Sequence, residues 1–149
     1  ALVGRIADEV PEVIAIKEFS GDVRRIWQIK KSAPRIDVIV GADDVLLELS
    51  TAGISGWIAG FPNALPAESA ALYNAAIAGD YNTAAPMYAA LHDLFHWDSQ
   101  KEFIQAIKLA MDLLGRYGGP TRLPRLALPE ADQAKIAREV EAVKEYFKK

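Results

Sequence analysis

Three short apolar runs about twenty residues apart, each closed by a corner rich in glycine or aspartate, constrain the fold of this chain more than any other feature. The first, Val13-Ile14-Ala15-Ile16, ends on Lys17 and turns through Ser20-Gly21-Asp22. Asp37-Val38-Ile39-Val40 is the second, followed by Gly41-Ala42-Asp43-Asp44, and Gly56-Trp57-Ile58-Ala59 is the third. Between them lie apolar residues at helical spacing: Val23, Ile26, Trp27 and Ile29 in one gap, and Leu46, Leu47 and Leu49 in the other, closed by Gly53. A β-α-β-α-β order with short corners demands a parallel sheet with right-handed crossovers, and hence an α/β fold. The first run has no polar alternation, so residues 13–17 are expected to form a strand buried on both faces, with Lys17 its last residue.

From Pro62 onward the pattern becomes helical. Pro66 suits a first helical turn, and that helix ends at Gly79. Asp80 caps the next one, which Pro86 is expected to kink. A third helix spans about residues 99–114, with Phe103, Ile104, Ile107 and Met111 apolar. An extended connector over 122–129 leads to a final helix from Glu130 to about Phe147.

A net charge of −3 with both signs scattered offers no basic patch for a phosphate backbone, which argues against nucleic acid as a partner. The absence of cysteine removes disulfides, thiolate metal sites and cysteine nucleophiles, and permits a cytoplasmic setting. No apolar stretch has the length of a membrane span.

Lys17 is the residue that points to chemistry. The carboxyl edge of a parallel sheet is where α/β folds gather reactive groups, and a lysine walled by apolar side chains there can serve as a nucleophilic amine. On pattern alone a lysine that snorkels from a strand end into water is the favoured reading.

The same residues carry a resemblance to a known family. Ile14-Ala15-Ile16-Lys17-Glu18-Phe19-Ser20-Gly21-Asp22, Gly41-Ala42-Asp43-Asp44 and Gly53-Ile54-Ser55-Gly56-Trp57-Ile58-Ala59, in that order and spacing, resemble the motifs of strands six, seven and eight in the dihydrodipicolinate synthase and N-acetylneuraminate lyase family of class I, Schiff-base aldolases. The Ile107-Lys108 helix and the connector are similar to the family's C-terminal extension. The resemblance implies the C-terminal part of a TIM (β/α)8 barrel: residues 1–62 a partial barrel, residues 63–149 the last barrel helix and a helical extension. It implies that Lys17 condenses with the ketone of pyruvate or a related 2-oxo acid, that Gly41 lies against the bound oxo-acid, and that Ile58 offers its main-chain carbonyl beside the imine. No metal or organic cofactor is implied, since the imine is itself the electron sink. A cytoplasmic homo-oligomer, dimer or tetramer, is the implied assembly.

Two departures qualify this. Ala59 stands where many members have serine, and Phe61-Pro62-Asn63 is not the usual synthase sequence, so a dehydratase or deaminase of a hydroxylated 2-oxo acid or pyrroline carboxylate competes with aldol-type condensation. The family's proton-relay tyrosine motif and Gly-x-x-Gly-Glu loop, which belong to the N-terminal half of the barrel, do not occur; Tyr73-Asn74 and Tyr81-Asn82 resemble the former in letters only. The chain therefore reads as one segment of a longer polypeptide or half of a split barrel, and it needs the N-terminal half to act. A non-catalytic half-barrel for binding or assembly is the rival from another class.

Other residues carry a bland reading beside a sharp one. Asp43 and Asp44 are read as helix caps rather than a paired-carboxylate acid/base site, and Glu18 as a structural ion-pair partner rather than an aid to Lys17. His92 and His96, four residues apart on a helix, have no third metal ligand at matching spacing. Trp57 either walls the site or packs outward against a helix.

Overall fold

A computed structural model describes residues 2–148. Helix α1 (Leu2–Glu9) leads into β1 (Ala15–Glu18), α2 (Arg25–Ser32), β2 (Asp37–Val40), α3 (Leu46–Ser50) and β3 (Gly56–Trp57). The helical region follows as α4 (Pro66–Ile77), α5 (Tyr81–Phe95), α6 (Phe103–Leu113) and α7 (Glu130–Phe147). The three strands form one parallel sheet in the order β1-β2-β3, as the spacing of the apolar runs demands. Among the described residues no helix is long and apolar enough to cross a membrane.

Register divides the sheet into two unlike faces. Lys17 lies opposite Ile39, which lies opposite Gly56, while Glu18, Val40 and Trp57 align on the other face. Because successive side chains alternate, the second set and Val38 face the helices. Val38 and Val40 join Ile26, Leu46, Leu49, Phe61, Leu72 and Phe95 in one core. Among the described residues no layer covers the face that carries Lys17, and Lys17 and Ile58 are exposed on it.

The first strand differs from its expected form. Pairing runs one residue further, to Glu18, because the Gly41 amide donates to the Glu18 carbonyl at 2.7 Å just past the ladder. The run is not buried on both faces: Ile14 is exposed, Ala15 and Ile16 are half-buried, and Lys17 is exposed. The third strand is shorter than its apolar run and ends at Trp57.

Local chemistry accounts for the helix ends. Gly21 adopts a left-handed φ of 73° at the corner after β1, where the Asp22 side chain accepts the Arg24 amide at 3.0 Å. Asp80 caps α5 by accepting the Thr83 amide, and α5 continues through Pro86 to Phe95. The helix expected over 99–114 starts later, at Phe103, and a 3-10 turn, His96–Ser99, precedes it. Trp97 pins that turn to α7 by donating to Glu139 at 2.7 Å. Helix α7 packs Ile136, Val140 and Val143, one face at helical spacing, into the same core.

Candidate active site

The corners after β1, β2 and β3 meet at the carboxyl edge of the sheet. Gly41 lies under the lysine side chain: a Cβ added there would stand 2.7 Å from Lys17 Cε, 2.7 Å from Phe19 Cβ and 2.8 Å from the Glu18 carbonyl oxygen. Only glycine permits that approach without displacing the backbone of β1. The Lys17 ammonium rests 5.4 Å from the centre of the Phe19 ring. Ile58 lies two residues beyond Gly56 on the lysine's face; its amide donates to the Val40 carbonyl at 2.9 Å, and its side chain is exposed. Lys17, Gly41 and Ile58 thus share one rim, with Lys17 and Gly41 in direct contact. A cavity of about 280 Å³ opens beside them, lined by Phe19, Ser20, Ala42, Asp98 and Phe103.

Glu18 points to the other face. It is buried, accepts the Ser20 amide at 2.9 Å and lies 3.5 Å from Arg25 Nε, which gives it the structural pairing read from the sequence. Trp57 also faces the helices, edge-on to Phe95 with ring centres 5.7 Å apart, so it does not wall the lysine's side of the sheet.

The two aspartates after β2 do not cap the helix that follows them; neither the 3-10 turn Asp43–Val45 nor α3 has a side-chain cap. Asp43, wholly buried, accepts the Phe61 amide at 2.8 Å and so ties the corner after β2 to the corner after β3. Its own amide donates to Asp98 Oδ2 at 3.3 Å. Asp44 accepts from Ser99 Oγ at 2.8 Å and meets His96 Nδ1 at 2.9 Å. Asp98 is therefore a site residue that the sequence reading missed, because 55 residues separate it from Asp43 and no local pattern links them.

Burial, and then the charge of Asp98, push the Asp43 carboxyl up to about 8 from its ordinary 3.8. Burial raises Asp98 as well, against the pull of the Asp43 amide and the Lys17 charge.

The histidine pair is not arranged to hold a metal. His92 and His96 stack with ring centres 6.4 Å apart, and both ring nitrogens of His96 are engaged, Nδ1 with Asp44 and Nε2 with Gln100 at 2.8 Å. A second cleft, of about 330 Å³, lies between α6 and the connector around Lys108 and Asp112. There the Lys108 ammonium donates to the Gly118 carbonyl at 2.6 Å and to that of Pro120 at 3.2 Å, which holds the segment leading from α6 into the connector.

The model of the dihydrodipicolinate synthetase family matches residues 1–143. Among curated relatives, the 4-hydroxy-tetrahydrodipicolinate synthase of Methanosarcina mazei is 31% identical over 134 residues, which is 89% of this chain and 46% of that protein. The corresponding synthase of Parabacteroides distasonis is 34% identical over 121 residues, 80% of this chain and 41% of that protein. Among solved structures, dihydrodipicolinate synthase from Aquifex aeolicus superposes with a TM-score of 0.82 at 29% identity, over 96% of this chain and 48% of that one. A prophage protein of the dihydrodipicolinic acid synthase family from E. coli K12, solved in complex with pyruvate, superposes with a TM-score of 0.81 at 26% identity, over 96% and 50%. The chain spans about half the length of the relatives it matches. Within that half the likeness is continuous from α1 into α7, and on it the chain belongs to the dihydrodipicolinate synthetase family.

Proposed function

We propose that this chain is the C-terminal part of a (β/α)8 barrel whose complete form is a Schiff-base lyase acting on pyruvate or a related 2-oxo acid. In this reading β1, β2 and β3 are barrel strands six, seven and eight, residues 1–62 belong to the barrel, and residues 63–149 supply its last helix and the extension. The bare inner face of the sheet, with Lys17 and Ile58 exposed on it, supports a fold that needs its remaining strands. The apolar side chains turned to solvent between α6 and α7, Tyr117, Leu123 and Leu126, support the expected homo-oligomer.

The chemistry follows from the amine. Lys17 Nζ adds to the keto carbon of the 2-oxo acid, water leaves, and a protonated imine links the two. That cation withdraws electrons from the neighbouring carbon, which gives up a proton to form an enamine; the enamine then adds to an electrophilic carbon. Reversal expels the same fragment. Residue 41 must lack a side chain for the lysine to lie across it, and the Ile58 main chain borders the space that the imine would occupy.

The observation that carries this reading is the contact between Lys17 and Gly41 on the uncovered face of the sheet. That the curated relatives are synthases, and that the E. coli protein was solved with pyruvate, supports the substrate class. Borohydride reduction of the full-length protein in the presence of pyruvate, followed by peptide mapping, tests it.

A further inference from the structure

Two buried carboxyl groups meet beneath the lysine rim, and among the described residues neither makes a salt bridge. Asp43 is wholly buried and Asp98 is 4% exposed. The Phe61 amide donates to Asp43 Oδ2 and the Asp43 amide to Asp98 Oδ2, and the Gly60 amide also points toward the Asp43 carboxyl. Asp43 Oδ1 is buried and, among the described residues, has no hydrogen-bond partner. An ionised oxygen abandoned in that way costs several kcal/mol, whereas a protonated one needs only an acceptor. The acceptor is at hand in Asp98, whose Oδ2 already takes the Asp43 amide at 3.3 Å.

We propose that Asp43 and Asp98 hold one proton between them, and that this acid-carboxylate clasp fastens the corners after β2 and β3 to the turn before α6 and so positions the rim that carries Lys17. The asymmetry of their surroundings assigns the proton. The Lys17 charge acts on Asp98 and favours its ionised form, while Asp43 is the wholly buried member and its Oδ1 meets no donor among the described residues. Asp43 is thus the acid and donates through Oδ1; Asp98 is the carboxylate. Gly60 completes the clasp, since a Cβ there would stand 2.5 Å from Asp98 Oδ1. The other charged or titratable groups facing the pair are Asp44 on its own corner, whose partners are Ser99 and His96, and Tyr88 from α5, which donates to Glu48 at 3.1 Å. Two carboxyl groups this close do not both ionise without repulsion, so loss of the proton loosens the Gly60–Phe61 corner beside Ile58.

Only the link to Lys17 rests on the imine reading; the shared proton does not. The test is a carbon-13 NMR titration of the full-length protein labelled at the aspartate carboxyls. At neutral pH one aspartate resonance is expected at the chemical shift of a protonated acid, moving to the carboxylate position only near pH 8, and it should vanish in Asp43→Asn. In Asp98→Asn, an isostere whose amide can donate to residue 43, the Asp43 signal should move to the carboxylate position at a lower pH than in the parent. Ionisation of every aspartate by the ordinary range, or an Asp43 signal indifferent to Asp98→Asn, overturns the clasp. The positioning claim has its own readout: pyruvate trapping at Lys17 should decline through the same interval in the parent and lose that inflection in Asp98→Asn, and an identical profile in both overturns it. If the parent forms no adduct at all, the imine reading falls while the titration still decides the shared proton.

Discussion

Gly41 and Lys17 touch across the first two strands, and the 2.7 Å separating a would-be Cβ from Lys17 Cε leaves no room for any side chain at residue 41. The same Cβ would press on the Glu18 carbonyl, a backbone atom that cannot rotate away. In the full-length protein Gly41→Ala should cost about 1–3 kcal/mol of stability through overpacking. By displacing the amine it should also slow imine formation on the order of a hundredfold. Denaturant melts and trapping rates check both; a variant with parental values on each would show that the contact is not tight.

Arg35 fans its guanidinium over the end of α1, donating from Nε to the Ala7 carbonyl at 2.9 Å, from Nη2 to that of Val10 at 2.9 Å and from Nη1 to that of Val13 at 2.8 Å. These carbonyls have few other donors, so Arg35→Ala should lower stability by about 1–3 kcal/mol. Hydrogen exchange at the α1 amides should quicken. Unchanged exchange there would mean that α1 is held by its packing against α2 alone.

Phe95 is fully buried between Trp57 and Phe61, with ring centres 5.7 and 6.0 Å away. Its truncation to alanine leaves a cavity between the sheet and the helices, with an expected loss of about 3–5 kcal/mol. The unfolding midpoint in denaturant reads this directly, and a loss below about 1 kcal/mol would contradict the packing of β3 on α5.

The sign of the pH effect at Asp43 follows from its raised value. Between its ordinary 3.8 and about 8 the folded chain keeps a proton that the unfolded chain has released. Stability contributed by this group is therefore complete below the lower value and is lost as pH rises toward the upper one. Asp43→Asn removes the titration, so melting temperatures of the variant should vary less with pH across that window than those of the parent. Parallel curves would mean that Asp43 ionises normally.

Much of the fold was legible because its signals are local. The three apolar runs, their Gly and Asp corners and the helical spacing between them determine a parallel sheet without reference to distant residues. What the sequence left unread was set by partners far along the chain. The end of β1 moved to Glu18 because the Gly41 amide reaches it. Asp43 and Asp44 resembled caps by position, yet their partners are Phe61, Asp98, Ser99 and His96, brought up by corners 18 to 55 residues away. Trp57 had two possible faces, and register with Val40 chose the helical one. Of the candidate site, Lys17 was legible as a strand-end residue and Gly41 and Ile58 only through the family resemblance, while Asp98 was not, since a turn residue after a helix gives no sign of what lies opposite.

The most direct test of the account is reductive trapping. Full-length protein incubated with pyruvate and borohydride should gain the mass of one reduced pyruvyl group, and digestion should place it on the peptide that contains Lys17. Lys17→Ala should gain nothing while melting like the parent, because an exposed side chain contributes little to stability. No adduct in the parent, or an adduct on a different lysine, would contradict the assignment of residue 17 as the imine-forming amine.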